Sequence, residues 1–231
     1  MKPELTHNNM NFYNADCMEL MKSKPDNYWD LAIVDPPYGI GFGKFNRTNK
    51  NSSNYRTKAN KYKNSEWDIS IPNEDYFIEL KRISVNQIVW GGNYFPSLWV
   101  NGCKGFIFWF KGNPVDNFSD GELAYTSFNK VAKQVDYRYY GNIEGNSNST
   151  NKIHPTQKPI QLYEWLLKNY AKEGQKILDT HGGSMSHAIA IDNVNKIEKM
   201  NLTLDICELD KDYFDEATKR VINQTKQMCL L

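Results

Sequence analysis

Five short apolar runs punctuate this chain: DLAIV (30–34), QIVW (87–90), GFIFWF (105–110), KILD (176–179) and LTLDIC (202–207). Runs of that kind suit strands buried on both faces. Between them, apolar residues recur at helical spacing. Residues 73 to 86 place Tyr76, Phe77, Leu80 and Ile83 on one stripe; 159 to 171 do so with Leu162, Trp165, Leu166 and Tyr170, and 211 to 225 with Phe214, Ala217 and Val221. Strands that need cover on both sides, alternating with one-faced helices, predict an α/β fold with a mostly parallel, doubly wound sheet. Ligands in such folds bind beyond the carboxyl ends of the strands. The residues that follow each run are therefore the candidates for chemistry.

With 231 residues the chain can bury one sizeable core, and a single domain over 1–231 is expected. Its formal charge of +1 means that any nucleic-acid partner must be met by local charge. Cys17, Cys103, Cys207 and Cys229 are scattered, with no Cys-x-x-Cys pair and no histidine at ligand spacing, which suggests neither a zinc site nor a disulfide framework. No apolar run reaches membrane-spanning length, and MKPELTHNNM lacks the apolar centre of a signal peptide. The expectation is a cytoplasmic chain with reduced thiols, no metal and no membrane contact. Abundant asparagine and lysine beside scarce arginine is a bias that AT-rich prokaryotic or phage coding sequences give.

Two segments break the α/β pattern. Residues 44 to 65, KFNRTNKNSSNYRTKANKYKNS, hold seven basic side chains and no acid, with too little apolar surface to fold alone. They read as a basic loop. Residues 141 to 152, GNIEGNSNSTNK, read as a surface loop or linker within a broader stretch, about 100–152, where target recognition would be placed.

The run at 30–34 continues into Asp35-Pro36-Pro37-Tyr38. Successive prolines have fixed φ and no amide hydrogen, so the loop they make is stiff and its carbonyls are free to face a ligand. The Asp35 carboxylate and the Pro36 carbonyl together would form a pair of acceptors for an amino group, with the flat face of Tyr38 beside it. Holding both hydrogens of a base amine favours a pyramidal nitrogen and aims its lone pair at an electrophile. The tetrapeptide then reads as a methylation site for a base amine; equally, an acid and two prolines can simply end a strand.

At these residues the chain resembles the amino-methylating DNA methyltransferases, in the permuted adenine-N6 type whose catalytic motif precedes its cofactor motif. The resemblance runs through NADCMEL (14–20), DLAIVDPPYG (30–39), IVWGGNYF (88–95), ELAYTSF (122–128), HPTQKPIQLYEWLLKNYAKEGQKILDTHGGS (154–184) and DICELDKDYFDEATKRV (205–221). It implies a seven-stranded-type sheet of the S-adenosylmethionine-dependent, Rossmann-like methyltransferase fold, with S-adenosyl-L-methionine as cofactor and double-stranded DNA as partner. Asp-Pro-Pro-Tyr favours adenine in that family, whereas Ser-Pro-Pro-Tyr is commoner in cytosine-N4 enzymes.

What the resemblance implies for individual residues is as follows. Asp35, Pro36, Pro37 and Tyr38 are catalytic, with Asp35 also beside the cofactor. Asp16 and Cys17 lie near the cofactor's adenine, Glu208 takes the ribose with Leu209 next to it, and Lys158-Pro159 flanks the methionine end. Asp179, Thr180, His181, Gly183 and Ser184 form the turn that receives the amino-acid end. Bland readings stand beside these: a Gly-Gly turn can be a mere connection, Glu208 a solvated acid, and Lys158 an exposed lysine before a proline that opens a helix. The sequence departs from the family where Met185 follows Gly183-Ser184 in place of the usual glycine, and where His181 replaces a frequent phenylalanine. A methionine required to adopt positive φ would be strained, or could crowd the cofactor.

Adenine N6 is out of reach inside a duplex, so the base must be extruded. In the basic loop, Lys44, Arg47, Arg56, Lys58 and Lys61 are placed to hold DNA phosphates, unless the loop is only a solvated excursion. The family also admits a homodimer and a place in restriction-modification. The final QMCLL, Gln227 to Leu231, loosely resembles peptides that dock on a sliding clamp, and equally reads as a frayed tail. The rival functions are methylation of cytosine N4 or another nucleic-acid amine, and a catalytically impaired DNA-binding relative marked by Met185.

Overall fold

The computed structural model describes residues 1–41, 68–112, 119–138, 153, 154 and 156–226. These hold β1 (Leu5–His7), β2 (Met10–Tyr13), α1 (Cys17–Lys22), β3 (Trp29–Val34), α2 (Glu74–Ile83), β4 (Ser84–Trp90), β5 (Phe106–Phe110), β6 (Gly121–Thr126) and β7 (Lys133–Asp136). They continue with α3 (Ile160–Tyr170), β8 (Lys176–Asp179), α4 (Ser186–Glu198), β9 (Thr203–Cys207) and α5 (Lys211–Lys226). Among the described residues the strands form one nine-stranded sheet in the order β1-β2-β9-β8-β3-β4-β6-β5-β7. From β2 to β4 every neighbouring pair is parallel; β6 enters antiparallel to β4 and β5. The seven strands from β2 to β5 make the expected sheet, and β1 and β7 extend it at the two edges.

Burial on both faces follows from the apolar runs. Leu31 and Ile33 of β3 join a core with β2, β4, β8 and β9 that α3, α4 and α5 cover, whereas Ala32 and Val34 join a second core under α1 and α2. Successive side chains of a strand point to opposite faces, so one run feeds both layers. The helical stripes land where their spacing predicts: Tyr76, Phe77, Leu80 and Ile83 are buried, as are Leu162, Leu166 and Tyr170, and Phe214, Ala217 and Val221. Trp165 is only partly buried and packs at the margin. Two boundaries differ from expectation. α2 stops at Ile83 because Ser84 takes extended backbone and begins β4, and Pro159 caps α3 from outside the helix rather than opening it at the first helical position.

The connection leaving β8 passes through α4 on one face and that leaving β3 through α2 on the other, so β8 and β3 are adjacent strands that diverge at a topological switch point. Much of the 100–138 stretch is sheet (β5, β6 and β7); residues 44–65, 139–152 and Gln227 to Leu231 lie outside the described residues. Lys44, Arg47, Arg56, Lys58 and Lys61 therefore do as well.

Candidate active site

Because β2, β9, β8, β3 and β4 run parallel, the residues that follow them share one edge of the sheet: Asp16, Glu208, Thr180, Asp35 and Gly91. Two cavities open there. One, of about 560 Å³, is bounded by Asp35, Tyr38, Tyr94, Lys111 and Glu122. The other, of about 470 Å³, lies against Asp16, Glu208, Lys158 and the Thr180–Ser184 turn. Asp35, Pro37, Thr156 and Lys158 line both and form the wall between them.

The loop at Asp35 is braced from several directions. Asp68, buried beneath it, accepts hydrogen bonds from the Tyr38 and Gly39 amides at 2.8 and 2.9 Å. The Tyr38 hydroxyl donates to Asp35 Oδ1 at 2.6 Å. Its ring stacks on Tyr94, with centroids 5.0 Å apart and planes at 15°, and meets Phe95 edge-on. Gly91 has φ +68°, and a β-carbon there would stand 2.2 Å from Tyr38 Cε1, so the ring lies directly against bare backbone.

Four alternating charges run from the dividing wall along the larger cavity. The Lys158 ammonium, almost wholly buried, donates to Asp35 Oδ2 and lies 3.2 Å from both the Tyr38 hydroxyl and Glu122 Oε2. Lys111 in turn pairs with Glu122 Oε1. Burial pushes the Asp35 carboxyl above the usual aspartate range, with Lys158 opposing and the Glu122 charge adding to the rise. Glu122 moves the other way: burial alone would raise it, but Lys158 and Lys111 overcome this and hold it at about 2. Burial works against the Lys158 charge, and the carboxylates of Asp35 and Glu122 together raise its pKa nevertheless. The arrangement keeps a charged lysine between two carboxylates in a desolvated wall.

The glycine turn is fixed from beneath. Asp179 is buried and faces inward: Oδ1 accepts the His181 amide at 3.1 Å, and Oδ2 is 3.1 Å from His187 Nδ1. Gly182 donates to the Cys207 carbonyl at 2.7 Å, and a β-carbon there would meet that carbonyl oxygen at 3.1 Å, so the turn sits tight on β9. Glu208 Oε2 accepts the Gly183 amide at 2.7 Å and Oε1 the Asp210 amide at 2.9 Å. Met185 does take positive φ, +52°, yet its side chain is fully buried in the core and lines neither cavity. Burial lowers the His181 pKa to about 4 and pushes the Cys17 thiol up to about 12, which leaves both neutral near pH 7.

Residues 43–219 match the family model for DNA methylases of the N6/N4 type. The chain belongs to that DNA methylase family. It is 24% identical over 257 positions to the type II methyltransferase M2.MboI of Moraxella bovis, covering 95% of this chain and 92% of the relative. Its fold is similar to the M1.HpyAVI–SAM complex, with a TM-score of 0.59 at 18% identity over 91% of this chain and 99% of that one. It is also similar to the PvuII DNA methyltransferase, described as cytosine-N4-specific, with a TM-score of 0.56 at 14% identity over 97% of this chain and 94% of that one.

In this methylase the Asp35–Tyr38 tetrapeptide lines the larger cavity throughout. Asp16, Cys17, Lys158, Thr180, His181, Gly183, Ser184, Glu208 and Leu209 line the smaller one together with Asp35. Pro159 and Asp179 line neither: Pro159 is buried as the cap of α3, and Asp179 spends its carboxylate on the His181 amide of the turn and on His187 of α4. Sequence reasoning missed Glu122, Lys111 and Tyr94 on one side and Tyr163 and Tyr213 on the other. Glu122 and Tyr94 stand inside ELAYTSF and IVWGGNYF, strings singled out as wholes, so the segments were visible and the side chains' direction was not. Among the described residues no group of three or more His, Cys, Asp or Glu could hold a metal ion, and no helix is long and apolar enough to cross a membrane.

Proposed function

We propose that this methylase transfers a methyl group from S-adenosyl-L-methionine to N6 of an adenine extruded from double-stranded DNA. The observation that carries this reading is Asp35 in the wall common to two cavities, one suited to a donor and one to a flat base. The smaller cavity, about 470 Å³, falls in the range of roughly 300–1,000 Å³ of small-molecule sites. Its residues fit the cofactor: the Glu208 oxygens each retain a lone pair for ribose hydroxyls after accepting one amide. Leu209, 72% exposed, offers an apolar face, and the displaced Met185 side chain leaves the turn open.

The bound cofactor supplies an electrophilic methyl: the base nitrogen forms the new N–C bond as the C–S electron pair returns to sulfur. The chain's own residues place the nucleophile. Asp35 and the Pro36 carbonyl accept the amine hydrogens, and the Asp35 carboxylate takes the proton that the methylated nitrogen sheds. Tyr38 stacks on the base and offsets part of the few kcal/mol that unstacking costs. Orientation of this kind supplies much of the rate in a direct displacement. Both nearby thiols, Cys17 and Cys207, are raised by burial and contribute packing rather than a nucleophile.

Adenine is favoured by Asp35 at the head of Pro-Pro-Tyr. A second reading, cytosine N4, draws support from the similarity to the PvuII enzyme. A cytoplasmic setting, and phosphate contacts from the 44–65 segment, belong to the same proposal. The test incubates bacterial and phage DNA with methyl-labelled S-adenosylmethionine and identifies the labelled nucleoside after hydrolysis. N6-methyladenine from wild type, with almost none from Asp35→Ala, is expected. N4-methylcytosine would transfer the assignment to the second reading, and equal labelling by the variant would remove Asp35 from its role. Failure of the folded chain to bind S-adenosylmethionine in a calorimeter would favour a DNA-binding relative without catalysis.

A further inference from the structure

Glu122 is the second residue of β6, two before Ala124, which pairs with Trp90 at the end of β4. The antiparallel register thereby brings its carboxylate to the same edge as Asp35, from 87 positions further along the chain (122 − 35). Its two oxygens are treated unequally. Oε1 is held by Lys111, whereas Oε2 is buried, 3.2 Å from the Lys158 ammonium, and receives no directed hydrogen bond. A buried charged acceptor left with an unused lone pair is costly, and native structures keep such groups where something is to be bound or moved.

Asp35 shows the complementary condition. Both of its oxygens are engaged, Oδ1 by the Tyr38 hydroxyl and Oδ2 by Lys158. Methyl transfer builds positive charge on the base nitrogen, and a lysine ammonium seated on the orienting carboxylate opposes that charge in a desolvated site. The same ammonium already lies 3.2 Å from Glu122 Oε2, which offers it a second seat.

We propose that Glu122 is a positioning residue that draws the Lys158 ammonium off Asp35 Oδ2 when the target base enters, leaving Asp35 free to accept the amine hydrogens. This inference rests on the methyl-transfer reading above. Lys158 then has two stations: on Asp35 it neutralises a buried carboxylate while the base cavity is vacant, and on Glu122 it stands back from the reacting nitrogen. Glu122 suits the second station because Lys111 and Lys158 hold it ionised down to about pH 2. It lines the base cavity and not the smaller one.

The test measures steady-state kinetics of Glu122→Gln and Glu122→Asp on methylatable DNA, with thermal unfolding alongside. For Glu122→Gln we expect kcat to fall about 100-fold, the effect of a misplacement near 1 Å, with KM for S-adenosylmethionine unchanged. The acid limb of its pH profile should move to lower pH, because a negative charge that raises Asp35 has gone. Glu122→Asp keeps the charge, so its limb should stay in place while kcat is intermediate. A residue that merely braces the strand would lower the unfolding temperature and leave kcat and the limb of the folded enzyme where they were. Wild-type kcat together with an unmoved limb in Glu122→Gln overturns the inference; if that variant does not fold, wild-type kcat in Glu122→Asp does so. No labelled amine in any DNA with wild type removes the methyl-transfer reading itself, and this inference with it.

Discussion

Gly91 and Tyr38 touch across the rim of the sheet so closely that any side chain at 91 would displace the ring: a β-carbon would lie 2.2 Å from Cε1 and 2.5 Å from Cδ1. The glycine follows β4 in the left-handed region, so its lack of a side chain serves both its own backbone and the ring that lies against it. Gly91→Ala should lower kcat by roughly tenfold or more through misplacement of Tyr38. Cofactor affinity should be unchanged, since Gly91 lies outside the smaller cavity. Calorimetry with S-adenosylmethionine beside methylation kinetics separates the two effects.

Lys158 opposes the burial that raises Asp35, so removing it should raise Asp35 further. The working form is the carboxylate, present above that pKa. In Lys158→Met the acid limb of methylation should therefore move to higher pH. Breaking a buried pair from one side costs about 3–5 kcal/mol, which a urea unfolding curve would register. A limb that stays put would show that Lys158 does not govern the ionisation of Asp35.

Met185 holds a left-handed backbone while its side chain fills the core. Met185→Gly relieves strain of about 1–2 kcal/mol but removes a buried side chain worth roughly 2–5 kcal/mol. A net loss of stability of up to about 4 kcal/mol is expected from those opposing effects. Affinity for S-adenosylmethionine should stay at the wild-type level because the side chain lies outside the cavity. Tighter binding in the variant would mean that methionine does crowd the site.

His181 is held neutral by burial, with its pKa lowered from 6.5 to about 4. A depressed histidine favours the folded state above the unfolded pKa, and that contribution is lost as pH falls from 6.5 towards 4, where the unfolded chain takes up the proton first. His181→Phe has no such proton to bind. Its midpoint of unfolding should fall less steeply than that of wild type between pH 6.5 and 4. Parallel curves would place the histidine in contact with water.

Much of the frame is legible in the sequence because burial leaves a local record. Short apolar runs gave β3, β4, β5, β8 and β9, and helical stripes gave α2, α3 and α5. β1 and β7 escaped because they bury almost nothing, Val135 alone in β7, and β2 because Asn11 interrupts its short apolar stretch. α1 carried a signal that went unused: Asp16, whose side chain accepts the Met18 amide as N-cap, is followed three residues later by Glu19.

By itself, the sequence determined that Asp35, the Thr180–Ser184 turn and Glu208 would stand at the carboxyl ends of buried parallel strands, since apolar runs mark the strands and the helical stripes between them require parallel crossovers. Only the tertiary structure decided that Glu122 and Lys111 would meet Lys158 there, that Asp68 would brace the tetrapeptide, and that Asp179 would turn inward to His187. Those partnerships span from eight positions for Asp179 and His187 to thirty or more for Asp68 and Lys158, and they depend on strand register and on which side chain a buried charge can reach, neither of which leaves a periodic trace in the order of amino acids.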